Sequence, residues 1–207
     1  MRYLTLVIVV VFTISPVWAE VIAMKHKKII NTPTVSQSEI ENNYKEITWD
    51  VLIPKDWDPA KPFRKLNLGL LKDSDPQAIE VLEMMKEEWD SAPIDPAMDG
   101  AKIKISGFVV PIEENNRAVT EFLLVPYFGA CIHVPPPPAN QIIHVVSKTP
   151  IKNLRVMDSV SVVGQLKAAY FSKKTDMGIG ASGYQLNSVS VATYTEPVVS
   201  MQPYNPR

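Results

Sequence analysis

Between Ala101 and Tyr194 apolar residues recur at close to every second position, whereas upstream of Ala101 they do not. A period of two places successive side chains on opposite faces of an extended chain, so this half reads as strands. KIKISGFVVPIE (102–113) alternates, most clearly over its first half. VTEFLLVPYFGACIHV (119–134) is apolar almost without a break, as in a strand covered on both faces. NQIIHVVS (140–147), DSVSVVGQLKAAYFS (158–172) and GYQLNSVSVATY (183–194) complete the set. In the last, Tyr184 and Leu186 share one face, and Val189 and Val191 follow after a shift at Asn187–Ser188. Gly107 and Gly164 sit inside strands, where glycine marks a bulge or a sharp bend. Five short strands bent in this way predict a mainly β fold, a small five-stranded barrel like the oligonucleotide/oligosaccharide-binding (OB) fold. A β-sandwich is the other arrangement such strands allow.

Ahead of the barrel the period lengthens. Asp75 and Pro76 form an N-cap and first-turn pair. Ile79, Leu82, Met84, Met85 and Trp89 then make a stripe at near-helical spacing, expected to be core, and SAPIDP (91–96) ends the helix. ITWDVLIPKDWDPAKPF (47–63) reads as an extended arm laying Trp49 and Trp57 on a domain surface. The polar stretch 20–46 reads as a flexible tether, helical from Ser36 to Lys45, with Ser36 capping and Glu39 three residues on. MRYLTLVIVVVFTISPVWA (1–19) has the charged start, short apolar core and small-residue end of a signal peptide. The apolar run is too short to cross a bilayer comfortably. The expected layout is a signal peptide at 1–19, a tether at 20–46, the arm and one packed helix at 47–99, the barrel at 100–195 and a tail at 196–207.

Composition narrows the possibilities. The 207 residues carry a net charge of −1, which leaves no electrostatic case for nucleic acid or an anionic membrane surface. Eighteen prolines against eight glycines favour fixed turns and strand ends over a helical bundle. The signal segment directs the chain to the periplasm, with no stable transmembrane segment after cleavage. A single cysteine forbids an internal disulfide there.

That cysteine lies in the most unusual stretch, LLVPYFGACIHVPPPPANQIIHVV (123–146). Cys131 and His133 are two apart and share a face if the segment is extended. The run Pro135, Pro136, Pro137, Pro138 makes a stiff projecting turn, and the return strand brings back His144. One thiolate and two imidazoles are a donor set that zinc or copper accepts, with an open fourth position that a carboxylate such as Glu121 completes. Three readings stay open on these residues. Cys131, His133 and His144 hold a transition metal; or they are structural and the proline turn, flanked by Tyr127 and Phe128, docks a partner protein; or Cys131 is a nucleophile with a histidine base. GIGASG (178–183) matches no phosphate-loop or nucleophile-elbow pattern and reads as a loop.

GFVVPIE, EFLLVPYFGACIHVPPPPANQIIHV and VVGQLKAAYF, with ITWDVLIP upstream, resemble the exported bacterial family called domain of unknown function 3299, over residues 47–194. The resemblance implies a periplasmic protein with an OB-like barrel. It also implies a link to transport, because some members are encoded beside transport ATPases and permeases in clusters tied to zinc supply. The function expected is therefore an exported binding or accessory protein, its partner a transporter component or another periplasmic protein. No enzyme activity is implied.

Overall fold

The structure is a computed structural model that describes residues 36–59, 61, 64, 75–112, 118–130, 136–172 and 181–194. The signal segment, most of the tether and the tail lie outside the described residues, as do Cys131, His133 and Pro135. In chain order the elements are α1 (Gln37–Asn43), β1 (Lys45–Glu46), α2 (Pro76–Asp90), β2 (Lys102–Pro111), β3 (Ala118–Val125), β4 (Ile143–Lys152), β5 (Ser159–Ser172) and β6 (Ala181–Thr193).

The strands run in the order β1-β2-β3-β4-β6-β5, and β5 returns to pair with β2. Five strands thus close into an OB-like Greek-key barrel, with β1 as a short extra strand beside β2. Within the barrel β4 and β6 are parallel and the other neighbours antiparallel.

Closure depends on two glycines. β2 pairs with β5 through Lys102–Phe108 and with β3 through Phe108–Pro111, so it must bend where it changes partner. Gly107 stands at the bend; a Cβ there would lie 2.7 Å from the Val125 carbonyl oxygen and 3.0 Å from the Trp49 ring. At Gly164 the register of β5 against β6 slips, and a Cβ would lie 2.4 Å from the Asn187 carbonyl oxygen. Both sites read from the sequence as bends are places where backbone or ring approaches closer than a side chain permits.

The barrel interior is filled by alternate residues of every strand, among them Ile103, Ile105, Phe122, Leu124, Val162 and Leu186. The 47–63 arm does not stop at the surface. Its 3-10 turn Trp49–Leu52 drives Trp49 and Leu52 into this core, where both are buried. Trp49 Nε1–H donates to the Ser106 carbonyl at 2.8 Å, and Gln141 Nε2–H donates to the Trp49 carbonyl at 2.9 Å. The large ring finds space because β2 has no Cβ at Gly107, next to it.

Tyr184 makes the third attachment. Its hydroxyl donates to the Leu52 carbonyl at 2.9 Å and accepts the Asp95 backbone N–H at 2.7 Å, tying the arm and the segment after α2 to β6. Burial pushes the phenol from 10.0 up to about 12, with the Asp95 carboxylate adding to the rise against the Asp95 N–H that lowers it. Between pH 10 and about 12 the unfolded chain has lost this proton and the folded one keeps it, so stability falls as pH rises through that window and is unaffected below it. Urea midpoints measured from pH 9 to 12 should show that alkaline limb. Tyr184→Phe should lose the limb's Tyr184 component and be about 1–2 kcal/mol less stable near neutrality, because two buried backbone groups lose their partner. Equal alkaline slopes in the two proteins would exclude the phenol as the cause.

The helices follow the capping signals more closely than the stripe. Ser36 accepts the Glu39 N–H at 3.3 Å at the start of α1. Asp75 and Pro76 open α2. Within α2, however, Val81 is the buried residue, while Ile79, Leu82 and Met84 are exposed. The apolar arc of this helix is broader than the surface it covers, so its flanks stay in water instead of joining the core.

Candidate functional site

Every second residue of a barrel strand faces outward, and outward faces are normally polar. β2 and β3 break that rule. Phe108 and Val110 on β2, Ile112 just after it, and Leu123 and Val125 on β3 form a second apolar cluster with Ala130 and Ile142. Their sequence neighbours Val109, Phe122 and Leu124 belong to the interior, so the cluster lies on the outer wall. This doubles the burial of β3 and explains its uninterrupted apolar run. Tyr127, Met157 and Phe171 pack on the cluster from the segments around it.

His144 stands on the same wall. Its neighbours Ile143 and Val145 fill the interior, so the imidazole points outward, opposite Leu123 in the β3–β4 ladder. Glu121 is two residues before Leu123 and therefore shares its face. It reaches diagonally across the ladder to put Oε2 3.2 Å from His144 Nε2. Phe171, from the far end of β5, stacks on the imidazole with ring centroids 3.8 Å apart and planes 15° apart. The histidine side chain is 4 % exposed and the glutamate 45 %, so the carboxylate is the wet side of the pair.

β3 ends at Val125, followed by Pro126, instead of running to Val134 as its apolar content suggested. A turn takes over: the Gly129 N–H meets Met157 Sδ at 3.3 Å, and Phe128 stands edge-on to Phe108 with centroids 5.7 Å apart. Phe128 is 67 % exposed. Tyr127 and Pro136 are half-buried, and Pro137 and Pro138 are buried. The described prolines thus line the body of the protein, and among the described residues of the group read as partner-binding the exposed one is Phe128. The 3-10 turn Ala139–Gln141 after them leads directly into β4.

Of the residues read as metal donors, His144 and the completing carboxylate Glu121 are brought together, while Cys131 and His133 belong to the undescribed part of the β3–β4 connection. Among the described residues no three His, Cys, Asp or Glu side chains converge as a metal-binding group. The chemistry present is one imidazole with a carboxylate on its Nε2 edge and an aromatic ring on its face. Phe171 had no signal in the sequence. It follows an irregularity in the β5–β6 ladder between Ala168 and Phe171, and such an irregularity changes which side chain faces which way.

No helix among the described residues is long and apolar enough to cross a membrane. A family model described as a protein of unknown function, DUF3299, matches residues 49–193. The chain is similar to a DUF3299 family protein from Pseudomonas aeruginosa PAO1 known from a crystal structure. The two are 35% identical with a TM-score of 0.54, over 73% of this chain and 97% of that one. No curated protein matches the chain.

Proposed function

The chain belongs to the DUF3299 family, and from that premise we propose that it is an exported, periplasmic binding protein that holds a transition metal, zinc or copper, at Glu121 and His144 in support of a transport system. The observation that carries the reading is the 3.2 Å approach of Glu121 Oε2 to His144 Nε2. A tetrahedral zinc with bonds of about 2.0–2.1 Å sets its donor atoms about 3.3 Å apart. The pair therefore already has the spacing of two corners of such a shell. Cys131 and His133, on the connection between the same two strands, are the remaining donors. A thiolate and a carboxylate together neutralise a divalent ion, and two imidazoles add no charge. When bound, the metal would serve as cargo, and the chain's task is to hold and release it.

Calorimetry and metal analysis on purified protein should give one zinc or copper per chain. His144→Ala should weaken binding by about 100-fold or more, since a whole donor is lost where even an outer partner is worth about 10–100-fold. Unchanged affinity in that variant would remove the reading.

The 67 % exposure of Phe128 favours a second reading, a protein–protein adaptor. An aromatic ring held in a fixed turn loses little entropy on docking and makes a good anchor. Here Phe128→Ala should abolish capture of a transporter component with zinc binding intact; full capture by the variant would count against it.

A further inference from the structure

We propose that Phe171 controls access to the His144 imidazole and thereby sets how fast the site exchanges its ligand; the second half rests on the metal-binding reading above. His144 is on the outer wall of the barrel, where a side chain is ordinarily wet, yet it is 3 % exposed. The stacked Phe171 ring covers one face of the imidazole. The exposed partner is Glu121, which lies at the Nε2 edge. Phe171 therefore closes the face it stacks on, and Glu121 borders the Nε2 edge. The stacking position on that face is filled by the chain's own ring. Barrels of this class commonly offer such faces to bases or sugars, so Phe171 changes what the wall accepts.

The placement of Phe171 is built in. The β5–β6 ladder is interrupted between Ala168 and Phe171 and resumes at once with Phe171 opposite Ser182 and Ser172 opposite Ala181. The resumed pairing holds the backbone at Phe171 in place. Phe171 also packs on the outer apolar cluster.

The test uses the full chain in metal-free form and reads carbethoxylation of His144 by diethyl pyrocarbonate, followed by peptide mass spectrometry. Phe171→Ala should raise the rate by about tenfold, the loss of one well-stacked ring, and Phe171→Trp should stay within about threefold of the parent protein. A Phe171→Ala rate within about twofold of the parent overturns the proposal. If the alanine variant loses its near-ultraviolet dichroism, Phe171→Leu replaces it, since it restores apolar volume without a flat ring. Its rate should also rise, and an unchanged rate overturns the proposal equally. In the zinc-loaded protein, release to a chelator should accelerate in step in the same variants. If the parent protein holds zinc through His144 but release is unaltered by Phe171→Ala, the control of exchange falls and metal binding stands. If the parent holds no zinc through His144, metal binding falls with the exchange claim, and the labelling rates alone decide whether Phe171 shields the ring.

Discussion

Replacing Trp49 with alanine should destabilise the protein by about 3–5 kcal/mol, the range for deleting a large buried ring. A fully folded domain has only about 5–15 kcal/mol to lose, so this one change removes a large share. The ring lies in the barrel core at 2 % exposure and sits against the gap left by Gly107. Its loss opens a cavity that the bent β2 cannot close, because the same bend is held by pairing to β3 on one side and β5 on the other. It also leaves the Ser106 carbonyl without the indole donor it has at 2.8 Å. Thermal unfolding should drop by about 6–20 °C, taking about 2–4 °C per kcal/mol for a chain of this size. Trp49→Phe should recover most of the packing and retain a deficit of about 1–2 kcal/mol from the missing N–H donor. Trp57→Ala is the comparison. That ring is only half-buried, so its removal should cost far less. Equal losses at the two tryptophans would mean that the arm does not enter the barrel.

The second large effect is expected at Gly164. Alanine there adds one methyl group, yet its carbon would meet Asn187 O at 2.4 Å, Asn187 C at 2.9 Å and Ser188 Cα at 3.0 Å. All three are backbone atoms of the paired strand, so no rotamer change relieves the contact. Either β5 and β6 separate, breaking ladder bonds, or the register slip moves. The cost should lie at or above the upper end of the about 1–3 kcal/mol typical of overpacking. Gly100→Ala gives the contrast. Its nearest neighbour would be a Gln165 side-chain atom at 3.8 Å, so space is available and only its φ of 77° opposes a side chain. That penalty should be about 1–2 kcal/mol. Chemical denaturation of the two variants separates crowding from backbone preference. A Gly164→Ala protein as stable as the parent would show that the strands are not this close.

The outer cluster makes the reading of β3 instructive. FLLV (122–125) is apolar at every position, which predicts cover on both faces and is what the structure has, with Phe122 and Leu124 inside and Leu123 and Val125 outside. The same apolar richness, continued through PYFGACIHV, gave no sign of where the strand stops. Pro126 was the available signal, because proline cannot donate to the ladder. For α2 the apolar stripe suggested a buried helix, but amphipathicity measures what a helix can cover and says nothing of the area waiting to be covered. Ile79 and Leu82 remain exposed for that reason.

What the amino-acid order determined by itself is the set of local properties: strand periodicity, the Ser36 and Asp75–Pro76 helix starts, and the need for bends at Gly107 and Gly164. Together these implied a small closed barrel. It also placed Glu121, His144 and Cys131 on or next to two strands that had to pair. The tertiary structure decided register and facing. Glu121 meets His144 because Leu123 lies opposite it, and a slip of one residue would turn one partner into the interior. Phe171 reaches the imidazole from beyond an irregularity in the β5–β6 ladder, and Trp49 enters the core where a distant strand lacks a side chain. Alternation is a property of neighbours along the chain and is legible there. Register arises from strands far apart in sequence, each adjusted by a bulge whose position depends on its partner.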